Sequence, residues 1–199
     1  MSALSHKRIS DMQKIVVAGL FSAIIVMGWA EPIPAPVNGV VTIDISSNVT
    51  YDEPLPAASQ LVKRGTGTAT LTKASSDFSP VGEGVLIEEG TLAITDADAL
   101  GTSEAARAAT VVIRPGAALS LLGCAPPLTQ SVVVEVDEAS NLAGKICAES
   151  GANACAGALL SRPAMKRLFE IEVGSSASAD ASLSLSLIHI SEPTRPERI

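Results

Sequence analysis

The chain has 199 residues, 47% hydrophobic but only 3% aromatic, with 15 glycines and a formal net charge of -7 at pH 7. Basic residues occur singly or in pairs such as Lys63-Arg64 and Lys166-Arg167, so no basic stripe exists for phosphates and no nucleic-acid partner is expected. Few rings among many Ala, Val, Leu, Ser and Thr fit a thin core of aliphatic ladders better than a compact core packed around large side chains.

The first 30 residues read as a signal peptide. His6-Lys7-Arg8 and Lys14 supply a positive region, Ile15 to Met27 is an uncharged apolar region broken only by Ser22, and Gly28-Trp29-Ala30 supplies small residues where a signal peptidase reads, so cleavage is expected between Ala30 and Glu31. The apolar segment falls short of the about 20 residues that a bilayer span needs, and the prolines after it would break a helix. An uncleaved membrane anchor is the competing reading, and both imply export to the cell surface or the medium. Residues 31–37 are Pro-rich, and an extended, polyproline-like, solvated lead-in is expected there.

Residues 38–122 carry the strongest pattern. Val41, Ile43, Ile45 and Val49 alternate as one or two strands. After Asp52-Glu53-Pro54-Leu55-Pro56 comes Leu61-Val62-Lys63-Arg64-Gly65-Thr66-Gly67-Thr68-Ala69-Thr70-Leu71. A strand-Gly-strand unit then occurs twice, as Val85-Leu86-Ile87-Glu88-Glu89-Gly90-Thr91-Leu92-Ala93-Ile94 and as Val111-Val112-Ile113-Arg114-Pro115-Gly116-Ala117-Ala118-Leu119-Ser120-Leu121. Self-similarity at a period of about 20 to 30 residues is the mark of stacked coils. Gly65, Gly67, Gly90, Gly101 and Gly116 are the expected corners, where a residue without Cβ turns the chain between strands. Gly65-Thr66-Gly67 is no phosphate loop, because neither Gly-Lys-Ser/Thr nor a long helix follows.

The order of these motifs, Leu-Val-Lys-x-Gly-x-Gly, then Gly84 to Ile94, then Ala99-Leu100-Gly101, then Val111 to Leu121, resembles the autotransporter-associated β-strand repeat, also called the passenger-associated transport repeat. The likeness covers roughly Thr42 to Leu121. It departs from the family at Lys73 to Val81, where an Asn-Thr-Tyr turn is usual and Ala74-Ser75-Ser76-Asp77-Phe78 stands here. The resemblance implies an all-β, right-handed parallel β-helix or β-solenoid belonging to a secreted or outer-membrane passenger. Its expected partners are outer-membrane translocation machinery or a C-terminal barrel outside this sequence, and host or cell-surface ligands. It implies no catalytic residue, cofactor or metal.

Residues 123–184 read as further strands around a Cys-containing insertion. Gly123-Cys124-Ala125-Pro126-Pro127 interrupts the repeat, Ser131 to Val136 resumes it, and Asn141 to Ile146 forms a partial rung. Cys147 to Ala164 is an Ala- and Gly-rich insertion with a short helical turn expected around Ala156 to Leu160. Leu168 to Val173 alternates as a strand, and Ser182 to Ser184 begins its expected partner. In an oxidising compartment Cys147 and Cys155 would close a small disulfide loop, which leaves Cys124 over or the pairing different. Zinc is the weaker alternative, since paired C-x-x-C spacing is absent and the only histidines are His6 and His189.

The acids Glu88-Glu89, Asp96, Asp98, Glu135, Asp137 and Glu138 support an enzymatic rival, a β-helix that cleaves acidic polysaccharides. Hydrolysis of that kind needs two carboxyls facing one bond, and solvated turn residues are the simpler reading. Tyr51, Phe78 and Phe169 are too few for a sugar platform built on exposed rings. A third reading is a module that binds a partner through residues 147–164. Finally, Leu185 to Arg195 reads as the translation of a transposase adaptor used in sequencing libraries, so residues 185–199 are expected to be a non-native tail, and His189 loses any claim as a ligand.

Overall fold

The computed structural model describes residues 31–124, 126–137, 139–162, 170–173 and 182–185. All belong to the second of the two units into which the chain divides, Glu31–Ile199. The expected signal peptide with Ala30, and the tail beyond Leu185, lie outside the described residues. Among those residues no helix is long and apolar enough to cross a membrane.

The fold is an all-β parallel solenoid of about five turns, as the repeats predict. One sheet stacks β1 (Val40–Asp44), β3 (Gln60–Arg64), β5 (Val85–Ile87), β7 (Thr110–Ile113) and β9 (Ser131–Asp137), and β13 (Leu159–Arg162) pairs with β9. A second sheet stacks β2 (Val49–Tyr51), β4 (Thr68–Leu71), β6 (Thr91–Ile94), β8 (Ala118–Leu122), β11 (Lys145–Ser150) and β14 (Glu170–Val173). These coil-to-coil pairings are parallel and largely in register, for example Val85 beside Val111 and Leu92 beside Leu119.

Pleating sends alternate residues of each strand inward. Stacking then lines them up as interior rows: Val41, Leu61, Val85, Val111 and Val132 form one, and Leu71, Ile94 and Leu121 another. Every one of these residues is buried within a single hydrophobic cluster. Each such Val, Leu or Ile contributes about 1.5 to 3 kcal/mol, which is how a chain poor in rings holds together.

On the remaining side, connections supply larger plugs. Phe78, from the stretch between β4 and β5, is buried, as are Leu55 and Leu100. Asp96 caps a 3-10 turn at Ala97–Leu100 by accepting from Asp98 N at 2.8 Å, and Ser103 caps α1 (Glu104–Arg107) by accepting from Ala106 N at 3.1 Å. Both are ordinary uses of a short polar side chain at a helix start.

Beyond residue 122, β9 and β11 continue the same two sheets. The expected insertion is itself coil. Its segment holds part of β11, then β12 (Ala152–Cys155) and β13, and the helical turn expected at Ala156 to Leu160 is replaced at Leu159 and Leu160 by strand paired with Val132 and Val133. A ready-made parallel edge outweighs the helix propensity of alanine here. The partial rung at Leu142 is a hairpin, in which β10 (Leu142–Ala143) pairs antiparallel with Asp137 and Val136. β15 (Ser182–Leu185) pairs with β12, so it is not the partner of β14 that the sequence suggested.

Candidate functional site

The outer face of the first sheet carries a ladder of alternating charge. Asp44 stands beside Arg64. Lys63 pairs with Ile87, so Arg64 meets Glu88 one residue on, and its Nε donates to Glu88 Oε2 at 2.5 Å. Ile87 pairs with Ile113, which places Glu88 beside Arg114. Ile113 pairs with Val134, which places Arg114 beside Glu135, with Nη1 to Oε2 at 2.6 Å. Glu135 then stands beside Arg162, at 3.8 Å, and Arg162 also reaches Glu83 at 2.7 Å. The signs therefore run minus, plus, minus, plus, minus, plus through successive coils.

One charge points the other way. Lys63 occupies the interior row between Ile43 and Ile87 and is fully buried. Its ammonium escapes the apolar interior by reaching the corner, where Nζ donates to Arg64 O at 2.6 Å, Gly65 O at 2.7 Å and Glu89 O at 3.2 Å. Burial lowers its pKa, against the upward pull of Asp44 and Glu89. Three carbonyls match the three donors of a protonated amine, so the lysine ties its own corner to that of the next coil. In the sequence Lys63 stands in a basic pair with Arg64, which gives no sign of its burial. The signal that could have found it was its place two residues after Leu61, on the inward phase of the strand.

Gly65, Gly67 and Gly90 meet where two successive coils turn, a Cβ at Gly90 falling 2.4 Å from Gly65 O and 2.6 Å from Gly67 O. Gly65, Gly90 and Gly116 have φ of 70°, 68° and 83°, and Gly101, with φ of 103°, ends the 3-10 turn. Gly67 is fixed by crowding, since a Cβ there would meet Ser47 O at 2.1 Å.

Cys124 and Cys155 are buried thiols. Ile146 is in the interior cluster, so pleating turns its neighbour Cys147 to the outer face, stacked beside Ser120. Cys155 faces inward and shares the interior cluster with Cys124. A sequence loop that looks closable is thus divided between the two faces of the wall. Burial pushes the Cys124 thiol up to about 12, with Asp96, Cys155 and Asp98 adding to the shift, and burial raises Cys155 as well. Thiols so protonated act as small apolar side chains.

Glu88, Glu135, Asp96, Asp98 and Asp137, among the acids proposed for chemistry, are engaged in structure. Glu88 and Glu135 are rungs of the ladder. Asp96 caps a turn, Asp98 accepts from Arg107 at 3.2 Å, and Asp137 accepts from Ala139 N at 3.0 Å and Ser140 Oγ at 2.5 Å. Glu138 lies outside the described residues. Among the described residues no group of three or more His, Cys, Asp or Glu is placed to hold a metal ion. No family model, curated protein or solved structure matches the chain.

Proposed function

We propose that this chain is an exported, non-enzymatic scaffold, a passenger-type β-solenoid displayed at a bacterial surface or secreted. The observation that carries the reading is the use of its conspicuous polar groups. Glu88, Glu135, Arg64, Arg114 and Lys63 tie one coil to the next. One-dimensional stacking of this kind gives an extended body whose stability adds coil by coil, which suits a stalk better than a pocket. The motif order from Leu61 to Leu121 supports a likeness to autotransporter passengers, and the charged, apolar and small-residue sequence of the first 30 residues supports export.

Expression of the full chain in a Gram-negative host, followed by fractionation and N-terminal sequencing, tests the reading. The expected product lies outside the cytoplasm and begins at Glu31. A chain retained in the cytoplasm with its first 30 residues intact would overturn it.

A further inference from the structure

We propose that the charge ladder on the outer face of the first sheet is a contact surface, and that the partner it fits is the same face of a second copy of this chain, related by a two-fold axis along the strand direction. The rungs stack at the strand spacing of about 4.8 Å, and the sign changes at every step. A polymer of one sign, such as a polyanion, would meet like charges there as often as unlike ones. The partner that matches must alternate with the same period, and the ladder itself does.

The guanidiniums are not used up within the molecule. Among the described residues Arg64 donates from Nε alone and Arg114 from Nη1 alone, although a guanidinium has several N–H donors. Their side chains are 52% and 48% exposed, which leaves the other donors within reach of a partner. Glu88 accepts at Oε2 only and keeps its second oxygen open. Beside the ladder on the same face lie Val62, Val112 and Val133, which are buried, so what this face offers a partner is charge. The carboxylates of Asp44, Glu88 and Glu135 balance the guanidiniums of Arg64, Arg114 and Arg162, whereas the whole chain carries -7. Two copies therefore meet on this face without the repulsion that their net charge imposes elsewhere.

The orientation follows from geometry. Laying one copy of the face on another reverses either the strand direction or the stacking direction. Reversed strands carry each ladder to the far side of the other sheet, over Gln60, Thr110 and Ser131. Reversed stacking keeps ladder against ladder. With the axis between Glu88 and Arg114, Glu88 opposes Arg114 of the second copy and Arg64 opposes its Glu135, each contact occurring twice. Every axis that falls between two rungs opposes unlike charges, so the rule is independent of how far the ladder extends. The contact is isologous and closes at the dimer. At about 4.8 Å per coil and about 3.3 Å per residue, the face projects about 400 Å² per copy, the size of a weak, transient contact.

Sedimentation equilibrium of the full chain up to about 1 mM is expected to show association that stops at the dimer and weakens with added salt. Arg64→Glu and Glu135→Arg each set like charges face to face at both symmetric contacts, and each variant alone is expected to associate about tenfold more weakly. An equimolar mixture of the two is expected to recover the wild-type affinity, because position 64 of each chain again opposes an unlike charge at position 135 of the other. Mixing changes nothing within either molecule, so recovery reports only the contact between copies. If a reversal unfolds the chain, Arg64→Gln serves instead, and is expected to weaken the dimer about threefold and to flatten its salt dependence. A folded wild-type chain that stays monomeric at about 1 mM, an association that ignores these substitutions, a mixture no tighter than its separate components, or growth past the dimer overturns the proposal.

Discussion

Arg114 donates to Glu135 at 2.6 Å across 21 residues of sequence, with only 12% of the Glu135 side chain exposed. The pair is one step of the alternating ladder, and Glu135 has a cation on each side, Arg114 and Arg162. The interior rows repeat nearly the same aliphatic residues in every coil, so apolar packing alone distinguishes poorly between a coil and its neighbour. Charges that change sign at each coil do distinguish them.

Charge alternation predicts a graded response at Glu135. Glu135→Gln is expected to cost about 1 kcal/mol, and Glu135→Arg, which puts three cations in a row, about 2 kcal/mol. Inverting all six rungs together restores alternation and is expected to return the unfolding midpoint toward wild type. Denaturant melts at low salt and at about 1 M salt, where the screening length falls to about 3 Å, should show the gap narrowing. Equal stability of Glu135→Arg and wild type would remove the ladder's role.

The corner glycines separate two costs that sequence treats alike. A Cβ at Gly90 would meet Gly65 O at 2.4 Å and Gly67 O at 2.6 Å, both backbone atoms of the preceding coil, and φ there is 68°. Gly82 has a similar φ of 58° but nothing within 4 Å of the added atom. Gly82→Ala is therefore expected to cost about 1 kcal/mol, the left-handed penalty alone. Gly90→Ala must also push two coils apart, at about 3 kcal/mol or more. Matched thermal melts check the difference, and similar midpoints for the two variants would contradict it.

Lys63 allows the row and the corner to be tested apart. Lys63→Ala leaves a gap between Ile43 and Ile87 and strips three carbonyls of their donor, at about 2 to 4 kcal/mol. Lys63→Met refills the row, leaving chiefly the carbonyls at a corner that water can reach, at about 1 kcal/mol. A Lys63→Met variant as damaged as Lys63→Ala would mean that the ammonium, rather than the stem, carries the stability.

The sequence made the solenoid legible through Val85 to Ile94 and Val111 to Leu121, because strand and corner glycine recur together there. It hid the ladder, because Arg64, Glu88, Arg114 and Glu135 become neighbours only after the coil lengths are known, and those lengths vary. The burial of Lys63 was not legible from its charge, because strand phase, set two residues after Leu61, sends it inward. Leu159 and Leu160 were misread as helical because the edge that captures them, β9, is remote in sequence. The Cys147 and Cys155 spacing suggested a loop, but closeness along the chain does not say which face of a pleated strand a thiol takes.

Tyr51 makes the pH dependence readable, since it is the chain's single tyrosine. Burial first, and Glu31 second, raise its pKa above the ordinary 10.0. Above pH 10 the unfolded chain loses the phenolic proton while the folded chain keeps it. The stability this group contributes is thus full below pH 10 and is lost as pH rises through the folded value. Cys155 and Cys124, raised from 9.0, act in the same direction, with the Cys124 effect extending to about 12. Lys63, lowered from 10.5, acts oppositely, because the unfolded chain holds its proton longer. Three groups against one predict net alkaline destabilisation. Tyrosinate absorbance should therefore rise above pH 10 together with loss of the far-ultraviolet β signal, and Glu31→Gln should move that rise to lower pH. A phenol that titrates near pH 10 while the β signal stays intact would show that Tyr51 is not sealed beneath the first coil.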